Sequence, residues 1–140
     1  MKNLIQLLHV GGYSCVIMNN MEVRTFHRRG VADLYDLFQH DKHFLKGAII
    51  ADKVIGKAAA ALIALGEVEK VYTDVISEPA LRLLRHAEIK VEYLQSVPFI
   101  ENRDKTGQCP LETRCADKNI TEIITVVQDF IKEMRLAVAV

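Results

Sequence analysis

The stretch GAIIADKVIGKAAAALIALG, residues 47–66, decides the fold of this chain. Its short apolar run predicts a strand over 47–51. The almost wholly apolar segment that follows predicts a helix over 53–65, and a helix that is apolar on nearly all its faces lies buried. A strand that feeds a buried helix is typical of an α/β sheet, so we expect this helix at the centre of the domain.

The rest of the chain predicts further strands and helices in alternation. A short helix ends at Gly11-Gly12, and Asn19-Asn20 is typical of a hairpin turn between two strands. The other predicted strands are 13–18, 22–26, 70–75 and 89–94, and the later predicted helices are 31–40, 78–87 and 120–134. We therefore expect one α/β domain over 1–140, a three-layer α/β/α sandwich around a mixed sheet.

Composition and charge exclude several classes of protein. The chain of 140 residues carries 18 Lys and Arg against 18 Asp and Glu, which gives no electrostatic reason to expect a nucleic acid or membrane partner. No apolar run is long enough to span a bilayer, and the N-terminal apolar stretch predicts an amphipathic helix rather than a signal peptide. An odd count of three cysteines favours reduced thiols and a cytoplasmic protein.

Three charged residues, Asp52, Lys53 and Lys57, stand where the predicted strand meets the central helix. Open α/β sheets bind ligands at such junctions. Asp52 is expected to cap the helix, a role that does not exclude ligand contact. Lys53 and Lys57 would share one helix face, where they either bind an anion between them or extend to solvent.

Two other predicted helix starts carry candidate residues. Ser77 precedes Glu78-Pro79 and is expected to cap its helix. Cys109 and Glu112 belong to a CPLE segment in which Glu112 can reach back to a backbone N–H at the helix start. A thiol at a helix N-terminus is a candidate nucleophile, with Glu112 or a lysine as proton carrier. The alternative is a buried, inert cysteine.

The polar segment ENRDKTGQ, residues 101–108, contributes Asn102 and Arg103 as candidate ligand contacts. Arg binds carboxylate and phosphate through two parallel hydrogen bonds, and loops on a rigid scaffold often carry function. Arg is also common on protein surfaces, so the second interpretation is a solvated loop.

The stretches ADKVIGKAAA (51–60), VISEPALRLL (75–84) and NRDKTGQCPLE (102–112) resemble a bacterial and archaeal family catalogued as a domain of unknown function. This resemblance covers most of the chain and implies a cytidine-deaminase-like fold. Zinc deaminases carry His/Cys-x-Glu and Pro-Cys-x-x-Cys at the starts of two successive helices. Residues 52–54 (Asp-Lys-Val) and 79–83 (Pro-Ala-Leu-Arg-Leu) stand at those places here, so we expect no zinc and no other cofactor.

Two functions remain open from the sequence. The first is a non-zinc protein or atypical enzyme that binds a small anionic or nucleotide-like ligand. The second is a catalytically silent binding or assembly module, in which the apolar tail LAVAV (136–140) contacts a partner. The partners that follow are a small molecule and, as an alternative, a second copy in a homo-oligomer.

Overall fold

The computed structural model describes residues 1–28, 31–100 and 109–139. Helices and strands alternate along these residues in the expected order. The elements are α1 (Lys2–Val10), β1 (Cys15–Asn19), β2 (Glu22–Phe26), α2 (Ala32–His40), α3 (Lys42–Leu45), β3 (Ile49–Ile55), α4 (Lys57–Leu65), β4 (Lys70–Ser77), α5 (Glu78–His86), β5 (Lys90–Val97), α6 (Pro110–Cys115) and α7 (Ile120–Ala139).

The strands form one mixed sheet in the order β2-β1-β3-β4-β5. β1 runs antiparallel to both β2 and β3, whereas β3, β4 and β5 are parallel. The hairpin turns at Asn20 and Met21, whose φ angles of 48° and 73° suit the tight turn that joins twisted strands. Helices α4 and α5 connect the parallel strands, as parallel pairing requires.

Helices cover both faces of the sheet, which confirms the α/β class and is consistent with three layers. On one face α1 packs through Leu4 and Leu8 against Val16, Ala51 and Tyr72. The main core lies on the other face, where residues of α2 to α7 pack on the sheet. Six successive residues of α4, 58–63, are buried, so this helix is the central one. None of the described helices has the length and hydropathy needed to cross a membrane.

The junction of β3 and α4 differs from the sequence prediction. β3 continues to Ile55 and α4 begins at Lys57, so the predicted helix start at Lys53 is wrong. Val54 and Ile55 are β-branched and pair with β4, which holds their backbone extended. Gly56 then separates the strand from the helix and is the N-cap residue of α4.

The alternation of side chains along β3 breaks between Asp52 and Ile55. Ile50 and Ile55 both lie in the main core, although strict alternation would put them on opposite faces. The Asp52 carboxylate accepts a hydrogen bond from the Val54 N–H (3.2 Å), and Val54 is 46% exposed. This local turn points Ile55 towards the main core just before α4.

β4 shows the same break at the neighbouring position. Thr73 pairs in register with Asp52, and its hydroxyl donates to the Val75 carbonyl (2.9 Å). Val71 and Ile76 consequently both face the main core. The two central strands therefore bend together, and their carboxyl ends lie under α4 and α5.

Candidate functional site

The first turn of α4 is the place where the structure joins two predicted site residues. Glu112, from α6, accepts a hydrogen bond from the backbone N–H of Lys57. The Lys57 ammonium donates to the carbonyl of Ala116 at 3.0 Å, just beyond the end of α6. These contacts hold α6 against the start of α4, and we call Gly56, Lys57 and Glu112 the α4 cluster.

Glu112 therefore caps α4 and not its own helix, and the prediction that it reaches back within α6 is wrong. Gly56 has no side chain, and the carboxylate of Glu112 fills the space that a Cβ would take. A Cβ at Gly56 would overlap Oε1 of Glu112 and lie 2.9 Å from its Cδ. The absence of a side chain at the N-cap position is thus what allows a carboxylate from elsewhere in the chain to fill it.

The electrostatics of Glu112 balance burial against local positive charge. Its side chain is 5% exposed, and this desolvation raises the pKa of the carboxyl. The Lys57 N–H and the Lys57 ammonium act in the opposite direction because they stabilise the carboxylate. A helix N-terminus also favours negative charge. The backbone N–H of Lys57 is therefore paired with a carboxylate of the same chain.

Asp52 does not cap a helix, which corrects the sequence prediction. It lies within β3, paired in register with Cys15 of β1, and is 9% exposed. Desolvation raises its carboxyl pKa from 3.8 to about 7, against the stabilising effect of the Val54 amide and the Cys15 thiol. Gly56 lies four residues further on, beyond the end of β3. Asp52 is thus a buried, readily protonated carboxyl outside the α4 cluster.

Lys53 and Lys57 do not share a helix face, because Lys53 lies in β3. Its backbone N–H donates to the Ser14 carbonyl at 3.1 Å. Both lysine side chains are half-buried. Among the described residues, neither ammonium has a carboxylate within 4.0 Å. They are therefore two separate cations on successive elements rather than one paired anion clamp.

Ser77 is confirmed as the N-cap of α5. Its hydroxyl accepts a hydrogen bond from the Ala80 N–H at 3.2 Å, and the residue is fully buried. Ile55 and Ile76 pair in register, so Gly56 and Ser77 follow at the same edge of the sheet. Ser77 thus lies beside the α4 cluster, with its hydroxyl committed to the cap.

Cys109 is confirmed at the start of α6, with Pro110 in the first helical position. Its backbone N–H donates to the Ile100 carbonyl at 2.7 Å, and its side chain is half-buried. The other free cysteines, Cys15 and Cys115, are buried. Burial raises the thiol pKa of Cys15 well above its usual value and raises that of Cys115 to about 11.

We expect Cys109 to be the fastest of the three cysteines to react with iodoacetamide at pH 7. The thiolate is the reactive form of a cysteine. Burial raises the thiol pKa of Cys15 and Cys115, so little thiolate forms at either residue. Mass spectrometry of the folded protein over time measures each rate, with urea-unfolded protein as the control in which the three rates converge. Slower alkylation of Cys109 than of Cys115 would contradict the expectation and remove Cys109 as a nucleophile.

Asn102 and Arg103 lie outside the described residues. In the part of the chain with described structure, no three His, Cys, Asp or Glu side chains are grouped as metal ligands. Two surface depressions, of about 410 and 250 Å³, are lined by other residues. The first lies beyond the ends of α4 and α5, around Glu67 and Glu88, and the second lies beside the β1–β2 hairpin.

One polar cluster was missed by the sequence analysis. Nε2 of His9 lies 2.9 Å from both carboxylate oxygens of Asp74, and the Tyr72 hydroxyl donates to the same carboxylate. Tyr72 and Asp74 share a face of β4 because they are two residues apart. His9 comes from α1, 65 residues earlier, and no local pattern predicts that contact.

Comparisons with known proteins identify a family. The family described as TM1506, domain of unknown function (DUF1893), matches residues 3–131. The crystal structure of a DUF1893 family protein (TM1506) from Thermotoga maritima, at 2.70 Å resolution, superposes with a TM-score of 0.84. The two sequences are 24% identical over 91% of this chain and 87% of the other. No curated protein matches. Since the family match spans nearly the whole chain, this protein belongs to the DUF1893 family.

Proposed function

We propose that this protein binds a small anionic or nucleotide-like ligand at the α4 cluster. The observation that supports the proposal is the carboxylate of Glu112 on the backbone N–H of Lys57. An N-terminal helix amide next to a lysine is a common phosphate or carboxylate site. The chain fills this place with its own anion, and a ligand oxyanion would replace it.

The raised pKa of Glu112 favours such an exchange. Burial disfavours its charged form, so the carboxylate is a poorer anion at this place than a phosphate that stays ionised at neutral pH. The glutamate side chain has three rotatable bonds, and in this proposal it changes rotamer to free the Lys57 N–H for the ligand. In this proposal Lys57 supplies the charge for the ligand and Lys53 adds to the field from the neighbouring strand.

The remaining predicted residues take narrower roles in the proposal. Cys109 begins the helix that carries Glu112, so it is the candidate nucleophile if its thiol proves reactive. Asn102 and Arg103 precede it in the chain and stay candidate ligand contacts. Ser77 shapes the edge of the sheet through its cap. Asp52, buried within β3, stays a candidate ligand contact.

Variants of the α4 cluster test this function with inorganic phosphate and adenosine monophosphate as probes. Lys57→Ala is expected to weaken binding by about 10- to 100-fold, since a charge-assisted hydrogen bond is worth about 1.5–3 kcal/mol. Glu112→Gln is expected to strengthen binding because the competing negative charge is gone. Calorimetric titration measures both affinities, and Lys46→Ala, an exposed lysine elsewhere, is the matched control.

Amide chemical shifts locate the binding in the same experiment. Phosphate should move the N–H signals of Gly56 and Lys57 first. If neither probe binds, or if Lys57→Ala and Lys46→Ala bind the probes equally well, the proposal of an anion site at the α4 cluster is wrong. The protein is then better described as a catalytically silent binding or assembly module.

We also keep the cytidine-deaminase-like fold and a cytoplasmic location as proposals. A buried helix between two parallel strands, after an antiparallel hairpin, supports the first. Because α4 begins at Lys57, the residues at the place of the first zinc-deaminase motif are Gly56-Lys57-Ala58. These residues provide no thiolate or imidazole ligand and no Glu proton shuttle. The free cysteines support the cytoplasmic location.

A further inference from the structure

β5 is an edge strand of unusual length for an unprotected edge. Seven of its eight residues, all except Leu94, pair with β4 on one side, and no described residue pairs with the other side. Most of its side chains are exposed, from Lys90 to Ser96. An open row of backbone N–H and C=O groups is a template for another strand.

The sequence of β5 lacks the features that protect an edge. Its charges, Lys90 and Glu92, lie at the N-terminal end, and 93–97 carry none. Leu94 is 73% exposed and Tyr93 is 37% exposed, although both are large apolar side chains. The opposite edge of the sheet, β2, is only five residues long and carries charges along it. Short, charged edges resist pairing and long apolar edges invite it.

We propose that β5 pairs with β5 of a second copy of this chain, antiparallel, about a two-fold axis at Leu94. The two five-stranded sheets then form one continuous sheet of ten strands. Pairing of the same edge in both copies closes after two chains, whereas pairing of β5 with β2 would continue without end. A second copy of this chain also supplies a strand of the same length as the open edge. This inference is independent of the proposed ligand.

Charge and side-chain character favour this register. In antiparallel strands, residues opposite each other lie on the same face of the sheet. With the axis at Leu94, Leu94 faces its own copy, Glu92 faces Ser96, and Val91 faces Val97. An axis at Glu92 would instead set two carboxylates directly opposite, which is destabilising. The register at Leu94 thus sets the charged half of each strand opposite the uncharged half of the other and keeps the two Glu92 carboxylates apart.

Sedimentation equilibrium over a concentration series tests the dimer. The wild-type mass should rise from 15.8 kDa towards twice that value with concentration. Leu94→Asp places two carboxylates opposite each other and should stay at the single-chain mass throughout. Met21→Asp is the matched control, because Met21 is 95% exposed in the β1–β2 turn and should dimerise like the wild type. A wild type that stays monomeric, or a Leu94→Asp variant that dimerises equally well, overturns the proposal.

A cysteine at the proposed axis tests the register without adding charge. Opposite residues of an antiparallel pair have Cα atoms about 4.5–5.5 Å apart, within the range that a disulfide spans. Leu94→Cys should form a disulfide-linked dimer under mild oxidation, whereas Met21→Cys and the wild type should not. A folded Leu94→Cys protein that forms no linked dimer overturns the proposal, and circular dichroism confirms that each variant is folded.

Discussion

The Asp52→Asn protein is expected to be about 2–4 kcal/mol more stable than the wild type at pH 8. Asp52 is 9% exposed, and its burial raises the carboxyl pKa from 3.8 to about 7. At pH 8 the folded wild type must therefore carry a buried charge that the unfolded chain solvates freely. Asn keeps an oxygen that accepts the Val54 N–H but carries no charge. Each pH unit between the two pKa values is worth ~1.4 kcal/mol, which sets the upper limit.

The sign of the pH dependence follows from proton binding. Between about pH 4 and pH 7 the folded protein keeps the Asp52 proton and the unfolded chain has released it. The folded state then binds more protons, so its stability falls as the pH rises through this window. The difference between Asp52→Asn and wild type should be small at pH 4 and should level off above pH 7.

Urea unfolding at several pH values measures this difference. The matched control is Asp117→Asn, which removes an exposed carboxylate and should leave the pH profile close to that of the wild type. Comparing variants cancels the contribution of other titrating groups, such as Glu112. A difference between Asp52→Asn and wild type that does not change with pH would show that folding does not raise the pKa of the Asp52 carboxyl.

Replacing Gly56 with Ala is expected to destabilise the wild type by about 2–3 kcal/mol. The new Cβ would overlap the carboxylate of Glu112, which must then leave the Lys57 N–H. The loss of a helix cap costs about 1–2 kcal/mol, and a buried carboxylate without its donor adds to that. The backbone itself tolerates Ala, since φ is −99° and ψ is −178°.

A double-mutant cycle isolates this contact. In a Glu112→Ala background the space beside Gly56 is empty, so Gly56→Ala should be nearly neutral. The coupling energy between the two positions is then about 2 kcal/mol, measured by urea unfolding of the four proteins. Neither Gly66 nor Gly12 is a suitable control position. A Cβ at Gly66 would contact Leu45, and Gly12 has open space around it but a φ of +65°, which strains any other residue. Equal costs of Gly56→Ala in both backgrounds would mean that the carboxylate of Glu112 is not what requires the glycine.

Local patterns account for most of the fold. Helical and strand periodicity predicted the order of the main elements, and Ser77 and Pro110 predicted where α5 and α6 begin, because caps act within one helical turn. Only α3 was absent from the prediction, since four residues carry no helical period. The main error was the predicted start of α4. An apolar run in the sequence does not reveal how many residues of β3 pair with β4.

The candidate site was predictable in its residue types and not in its contacts. The sequence predicted Lys57, Cys109 and Glu112 as candidate site residues, and the structure joins Lys57 to Glu112 across 55 residues. The structure separates Lys53 and Asp52 from this contact, because both residues lie in β3. The contact of His9 with Asp74 had no local signal, since it depends on where α1 packs on the sheet.

The sequence alone therefore determined the order of strands and helices, the buried central helix, and the helix starts at Ser77 and Cys109. What only the tertiary structure decided is the partner of each polar group. Glu112 caps α4 because Gly56 leaves room for it, and Asp52 holds a proton to about pH 7 because neighbouring elements exclude water from it. Hydrogen bonds within a turn follow from spacing along the chain, whereas burial and distant contacts follow from how the layers pack.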